Sequence, residues 1–157
     1  MDTESTQTAP TPVLSAFMVC DNVIEDKLTN KKSLIGVFTD IRAITFPYVH
    51  YCLGIYVCLT DAEGEYELNL RLVHADSGIK IGEAGLMVMI ADRLSMSDFA
   101  INLSHLVFPE PGRYEFQLYA NRQFLGLKAF RLSAPPPARA ARGVVRATPT
   151  SSTPAPG

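Results

Sequence analysis

Residues 108–132 read FPEPGRYEFQLYANRQFLGLKAFRL, and this stretch carries the most information about the fold. Two prolines and a glycine interrupt the preceding element, and large residues then alternate with polar ones at Tyr114, Phe116 and Leu118. Such alternation places one set of side chains on each face of a β-strand. A tyrosine shortly after a turn glycine also matches the tyrosine corner of immunoglobulin-like sandwiches. We therefore expect a corner closed by Tyr114 and a hairpin whose Phe116 and Leu118 fill the core.

The same period of two recurs between residues 13 and 132, where we predict about eight strands and no convincing helix. Its cleanest instance is residues 65–72, whereas residues 91–98 are the least regular and could hold a short helical turn. The strands are short, polar turns join them, and no crossover helix fits between them, which favours antiparallel pairing. We predict an all-β fold, a single antiparallel β-sandwich of the immunoglobulin-like kind, with a partly open barrel as the alternative.

The composition indicates one domain between two tails. Apolar residues make up 47% of the 157 residues and charged residues 19%, which is typical of a soluble globular domain. We place the sandwich at residues 13–132, an N-terminal tail at residues 1–12, and a tail rich in Pro, Ala and Arg at residues 133–157. The tails cannot bury enough apolar surface to offset an ordering cost of ~1–2 kcal/mol per residue. Both are therefore predicted to be disordered.

The sequence contains no apolar run approaching the ~18 residues of a transmembrane helix. Its first residues, MDTESTQTAPTP, include no Lys or Arg, which a secretory signal would need. We therefore expect a cytoplasmic protein with no membrane partner. Cys52 and Cys58 lie too far apart on one predicted strand to pair, although Cys20 could reach either. An odd number of cysteines in a reducing compartment favours free, buried thiols.

No constellation of side chains indicates catalysis. His74 and Asp76 form an H-x-D pair that could seed a metal site, but a surface turn in which Asp76 caps its own backbone is favoured. The carboxylates of residues 61–67 are favoured as a solvated face over a calcium site. The chain has neither a G-x-S-x-G elbow nor a phosphate-binding glycine loop. We therefore expect no catalytic, cofactor-binding or metal-binding residues.

Charge is divided unevenly along the chain, although the net charge is only −2. Glu115 is the last acidic residue, and every charged residue after it is basic. The tail residues Arg139, Arg142 and Arg146 could contact an acidic partner, although plain solvation of the tail is favoured. They are widely spaced and lack aromatic neighbours, so we do not expect specific nucleic-acid recognition.

Several large apolar residues should project away from the core. We expect this of Tyr51, Tyr56 and Tyr119, while Met87 and Met89 belong to a strand that is apolar on both faces. A loop, the other sheet or another subunit could cover these side chains. The leading hypothesis is a non-enzymatic interaction or assembly module that binds a protein partner, or a second copy of itself, through an apolar sheet face or edge.

Two further hypotheses remain open. The first is a sandwich that binds a small ligand such as a carbohydrate, using the loop aromatics Tyr48 and Tyr51 around His50. The second, least favoured, is an enzyme built on His74 and Asp76 with an unidentified third residue. Both differ from the leading hypothesis in needing side chains that converge on one small molecule.

Taken together, the blocks VCDNVI, SLIGVFTDIRA, FP, LRLV and LVFPEPGRYEFQLYANRQFLG resemble an uncharacterised bacterial family of small cytoplasmic β-sandwich proteins. The resemblance lies in the block order: a Cys-Asp near the front, a Gly-Val-Phe strand, and F-P-x-P-G-x-Y-x-F near the end. It covers roughly residues 14–132 and excludes both tails. It implies the sandwich fold and the compartment, and it implies no activity.

Overall fold

The computed structural model of the protein describes residues 8–136, in which nine β-strands form two sheets and no helix occurs. The strands in chain order are β1 (Val13–Glu25), β2 (Lys32–Val37), β3 (Asp40–Arg42), β4 (Tyr48–Thr60), β5 (Gly64–His74), β6 (Lys80–Ile90), β7 (Ser97–Phe108), β8 (Gly112–Ala120) and β9 (Gln123–Ser133). The four-stranded sheet has the order β2-β1-β4-β7, and the five-stranded sheet has the order β3-β9-β8-β5-β6. All neighbours are antiparallel except β3 and β9. The predicted sandwich is confirmed, and the barrel alternative is wrong.

The sequence segment SLIGVFTDI, which the periodicity predicts as one strand, forms two strands in different sheets. β2 pairs with β1 in the four-stranded sheet, whereas β3 pairs with β9 in the five-stranded sheet. Phe38 lies at the crossing and packs its half-buried side chain against the core. Residues 43–46, expected to prolong the strand past a bend, form no strand. This crossing raises the strand number in the described residues above the predicted eight.

The predicted corner and core of β8 are confirmed. Tyr114, Phe116 and Leu118 are at most 3% exposed, because β8 lies between β5 and β9 and turns these side chains toward the other sheet. The Tyr114 hydroxyl donates to the backbone oxygen of Glu110 at 2.6 Å, which is the bond of a tyrosine corner. Its ring meets that of Phe108 edge-on, with 4.9 Å between the ring centroids.

The second half of β1, which pairs with β2, leaves its pairing with β4 and crosses the outer face of that strand. The crossing point is Gly54 of β4, where an added Cβ would lie 2.9 Å from backbone atoms of Asn22 and Val23 and from the sulfur of Cys20. Asn102 of β7 reaches across β4 to the same place: its amide donates to the Val23 carbonyl and accepts from the Val23 N–H, both at 3.0 Å. The hairpin thereby buries Cys20 on what would otherwise be an exposed face.

Strands β4 and β7 share an irregularity that changes which residues face the core. From Leu53 onward the odd-numbered residues of β4 are buried, whereas before it the even-numbered residues are the more buried ones. Tyr51 and Cys52 are therefore both exposed, and near them His105 of β7 has a φ of 56°. All three cysteines are free, as predicted, but the prediction of buried thiols is wrong for Cys52.

The N-terminal segment that the structure describes is part of the domain. Residues 8–12, which the sequence places in the tail, lie against the sandwich, and the Tyr66 hydroxyl donates to the backbone oxygen of Pro10 at 2.7 Å. A buried phenol needs such a partner, and the local composition gives no sign of one. The tail predictions for residues 1–7 and 137–157 lie outside the described residues.

Candidate functional site

The sandwich is open on one side. β6 is the last strand of the five-stranded sheet, β7 is the last strand of the four-stranded sheet, and both edges lie on that side. Between them is a cavity of about 370 Å³, which we call the β6–β7 cleft. Its lining comes from both sheets and consists of Val57, Leu68, Leu70, Ala84, Gly85, Leu86, Phe99, Ala100, Ile101, Asn102 and Leu118. All of these except Asn102 are apolar or glycine.

A second cavity of about 140 Å³ continues the β6–β7 cleft along the two edge strands. The two cavities share Leu70 and Ala84, and the second reaches as far as Leu106. Asn102 does not present a free polar group to the first cavity, because both ends of its amide are bonded to the backbone of Val23. The cleft is therefore elongated, and its larger part has an apolar wall.

The edge strand β6 exposes apolar side chains. Leu86 is 42% exposed, Met87 58% and Met89 70%. Both methionines pair with glutamates of β5 and lie on the outer face, whereas Leu86 pairs with a buried leucine and lines the cleft. Edge strands are usually protected by proline, by a central lysine or by a bulge. β6 contains no proline, and its one lysine, Lys80, and its one register shift, between Lys80 and Gly82, both stand at the very start.

The loop between β6 and β7 adds two exposed apolar residues at the end of the same edge. Leu94 and Met96 are 95% and 69% exposed. The backbone N–H of Leu94 donates to a carboxylate oxygen of Asp92 at 2.9 Å, which closes a tight turn. The loop forms no helix, contrary to the expectation of a short helical turn, because the Asp92 side chain satisfies the backbone locally.

The five predicted interaction residues are divided between the two sheets. Tyr51 and Tyr56 belong to β4 in the four-stranded sheet, whereas Met87, Met89 and Tyr119 belong to the five-stranded sheet. They therefore do not form one surface. The two methionines are neighbours on the edge strand, and Tyr119 lies two strands away on the same outer face.

Tyr56 faces outward but lies beneath the β1–β2 hairpin. Its hydroxyl donates to Asp98 at 3.4 Å, and Lys32 of the hairpin donates to the same carboxylate at 3.0 Å. Burial would lower the pKa of Lys32, but the hydrogen bond and charge of Asp98 raise it above its ordinary value. Burial and the Asp98 charge also raise the pKa of Tyr56. Tyr56 is therefore part of a hydrogen-bonded group with Asp98 and Lys32 of the same chain, and its hydroxyl is not free for a partner.

Tyr119 belongs to an aromatic patch that sequence reasoning missed. Phe124 of β9 is 53% exposed, and its ring centroid lies 5.5 Å from that of Tyr119. The Arg71 guanidinium lies 4.4 Å from the centre of the Tyr119 ring. Hydrogen bonds, led by the one from Lys80, lower the pKa of Glu83 to about 2, and Arg71 also pairs with Glu83 at 3.2 Å. These charges separate the aromatic patch from the methionines of β6.

His74 is buried, only 4% exposed, although the sequence favours a surface turn. Its Nδ1 lies 2.8 Å from the hydroxyl of Ser77, and that hydroxyl also accepts from the turn backbone, a role predicted for Asp76. Its Nε2 has no hydrogen-bond partner; it lies 3.8 Å from Oδ2 of Asp76 and faces Gly112, where an added Cβ would be only 2.5 Å away. In the part of the chain that the structure describes, no group of three His, Cys, Asp or Glu side chains could hold a metal ion.

The aromatics of the carbohydrate hypothesis do not converge. Tyr48 and His50 share one face of β4, with 3.4 Å between the Tyr48 hydroxyl and Nδ1 of His50. Tyr51 points elsewhere and packs on His105, with 5.5 Å between the ring centroids. Desolvation lowers the pKa of His50, so burial favours its neutral form. These residues do not form a common wall for a sugar.

Two predictions concern regions or partners beyond this site. The predicted electrostatic tail lies outside the described residues; its members are Arg139, Arg142 and Arg146. Residues 8–136 include no helix with the length and apolar character needed to cross a membrane.

The model of a family of unknown function (DUF6941) matches residues 15–133, and no curated protein matches the sequence. An alkylpurine DNA glycosylase of Pseudomonas fluorescens, bound to DNA containing an abasic site analogue, matches in structure with 12% identity and a TM-score of 0.47. That match covers 79% of this chain and 31% of the glycosylase chain. An immunoglobulin-like protein of Pseudomonas aeruginosa matches with 12% identity, a TM-score of 0.41, and coverage of 79% and 98%.

Proposed function

The chain belongs to this family of unknown function (DUF6941), and we propose that it is a non-enzymatic assembly module in which two copies join along β6. The observation that carries the proposal is the edge of β6, which has no second strand partner among the described residues and which exposes apolar side chains. An unpaired edge offers its N–H and C=O groups to a further strand. A second copy of β6 would extend the five-stranded sheet into one continuous sheet across both copies.

β6 is complementary in size to an antiparallel copy of itself. The first half of the strand carries the small residues Gly82, Ala84 and Gly85, and every residue of the second half is large, with Leu86 between them. In an antiparallel pair centred on Leu86, Met87 faces Gly85 of the second copy, and Val88 faces Ala84 of the second copy. Met87 and Val88 each meet a small residue in this register, one on each face of the sheet, whereas Leu86 meets Leu86 and Met89 meets Glu83, so the centre of the pair fits without overpacking.

The same register also brings opposite charges together at the two ends of the pair. Lys80 and Asp92 stand at equal distances in sequence on either side of Leu86, so Lys80 of each copy, which pairs with Glu83 of its own chain, comes near Asp92 of the other. A shift by two residues would separate these charges. It would also set Met87 against Met87, or leave Gly85 against Gly85. The register centred on Leu86 is therefore the one that satisfies both size and charge.

The neighbouring edge strand is less suited to pairing. β7 is irregular at His105, whose φ is 56°. It also carries Asp98 near its start, tied to Lys32 at 3.0 Å. Irregular and charged edges resist the addition of a strand. β6 shifts register only at its start, between Lys80 and Gly82, and its second half from Leu86 to Ile90 is apolar throughout, which supports its choice as the interface.

The proposal retains three expectations drawn from the sequence. A non-enzymatic role is supported by the burial of His74, which is only 4% exposed. A cytoplasmic location is supported by three free cysteines. The third is an auxiliary electrostatic contact of the tail with an acidic partner, through Arg139, Arg142 and Arg146.

Charges placed at Leu86 test the pairing, because Leu86 faces itself across the axis. We expect Leu86→Lys and Leu86→Glu each to abolish the dimer, since like charges then stand opposite one another in the sheet. Mixing the two variants should restore a dimer that contains one copy of each. Size-exclusion chromatography with light scattering gives the readout, and the volume-conserving Leu86→Met is the control that stays dimeric. An unmodified chain that remains monomeric at high concentration would overturn the proposal.

Disulfide cross-linking tests the register, with Cys52→Ser as the background to remove the exposed thiol. Facing residues of an antiparallel pair have Cα atoms ~4.5–5.5 Å apart, which a disulfide can span, so Leu86→Cys should cross-link two copies on mild oxidation. Met89→Cys is the matched control. Met89 is 70% exposed and Leu86 only 42%, so random collision would favour Met89, although the register holds the two copies of Met89 far apart. Faster cross-linking by Met89→Cys would contradict the register.

A further inference from the structure

The β6–β7 cleft lies inside one copy and does not depend on the dimer, and we infer that it binds an unbranched aliphatic chain of the acyl or alkyl type. Its volume of about 370 Å³ falls within the ~300–1,000 Å³ of small-molecule sites. The cleft opens between two strand edges, so a ligand can enter from the side without unfolding either sheet.

The chemistry of the lining selects an apolar ligand. Leu68 and Leu70 form one wall, Phe99 and Ile101 form the opposite wall, and the amide of Asn102 is occupied by backbone bonds. A hydroxyl or amide placed between these walls would lose its bonds to water without a side chain to replace them, which costs several kcal/mol. A sugar is therefore a poor occupant of this cleft, whereas methylene groups fit it.

The shape of the cleft selects a linear ligand over a compact one. Along β7 the lining of the two joined cavities runs from Phe99 to Leu106, which is ~23 Å at ~3.3 Å per residue. On the other wall Gly82, Ala84 and Gly85 have no large side chain beside the same path, and Glu83 also lines the second cavity. An extended hydrocarbon chain can follow such a path. Its polar end group would stay at the open mouth in water.

A fluorescent fatty acid tests the inference on the full chain. We expect cis-parinaric acid to bind and to be displaced by both palmitate and hexadecanol, because the aliphatic chain is the shared determinant and the head group is not. Ala84→Phe fills the junction of the two cavities and should weaken binding roughly tenfold or more. Met87→Phe adds the same ring to the outer face of the same strand and should leave binding unchanged. Ala84→Leu is a milder filling variant, and circular dichroism verifies that each variant is folded.

Each outcome of these binding experiments either supports or overturns the inference. Failure of the chain to bind the probe, or full binding by folded Ala84→Phe and Ala84→Leu, overturns the inference. Displacement by adamantane carboxylate as effective as that by hexadecanol overturns the claim for a linear ligand. Light scattering on the same samples separates the two proposals: binding by a monomeric chain supports this inference even where the pairing of β6 fails.

Discussion

At the scale of single residues, one hydroxyl fixes the corner of the sandwich. The Tyr114 hydroxyl donates to the carbonyl of Glu110 across the turn that precedes β8. Desolvation raises the pKa of Tyr114, although the bond to Glu110 acts in the opposite direction. The phenol therefore stays protonated, and remains a donor, at every pH near neutrality.

We expect Tyr114→Phe to lower the free energy of unfolding by about 1 kcal/mol, because it removes one intramolecular hydrogen bond and leaves the ring packing intact. Denaturant unfolding followed by circular dichroism measures the change, since the chain has no tryptophan. Tyr51→Phe is the control. Tyr51 is 71% exposed, so its hydroxyl can bond to water in the folded and the unfolded chain alike, and its removal should change the free energy of unfolding little. Equal losses in the two variants would show that the corner bond contributes nothing.

The local sequence pattern predicted the burial of some side chains and could not predict the burial or exposure of others. The burial of Tyr114 follows from the alternation of β8 and from the turn before it, and both of these are local features of the sequence. The exposure of Cys52 depends on the irregularity that β4 shares with β7 near His105, which no local pattern of β4 reports. The burial of His74 likewise depends on Gly112, which is distant in sequence and leaves only enough room for the imidazole ring.

At the scale of elements, one glycine allows a hairpin to cross a strand. A Cβ on Gly54 would meet the backbone of the crossing chain at 2.9 Å, a distance that real Cβ contacts do not reach. The sequence predicted β4 as a strand, but it could not predict the crossing, because a glycine in a strand is equally consistent with a bulge or a weak pairing. The partner that reveals it is Asn102, which lies on another strand.

We expect Gly54→Ala to destabilise the fold by on the order of 1–3 kcal/mol, because the added methyl group forces the hairpin away from the sheet. The same displacement should uncover Cys20, so its thiol should react faster with a maleimide or disulfide reagent. Gly82→Ala is the matched control, since nothing lies within 4 Å of its added Cβ and its effect on the free energy of unfolding should be small. A stable Gly54→Ala variant with a protected Cys20 would contradict the crossing.

At the scale of the whole molecule, the sandwich could be predicted and its open side could not. The period of two reports which residues face a core, and that information is carried by each strand alone. Strand order is set by pairings between distant segments, so the sequence does not reveal that β6 and β7 end their sheets on the same side. The signal that pointed there was the doubly apolar run around Met87 and Met89. That run predicts a face that another element covers, whereas in the structure it lies at an edge beside a cleft.

Amide hydrogen exchange should map both proposals on one molecule. We expect β6 to exchange faster than β5 in dilute protein, because β6 is paired on one side only and β5 on both. Raising the protein concentration should protect β6 and leave β7 unchanged, since only β6 joins the second copy. Saturation with hexadecanol should instead protect both β6 and β7, because both line the cleft. If raising the protein concentration protects β7 and not β6, the interface lies at the β7 edge and the proposed pairing is wrong. If hexadecanol protects neither strand, it does not bind in the cleft.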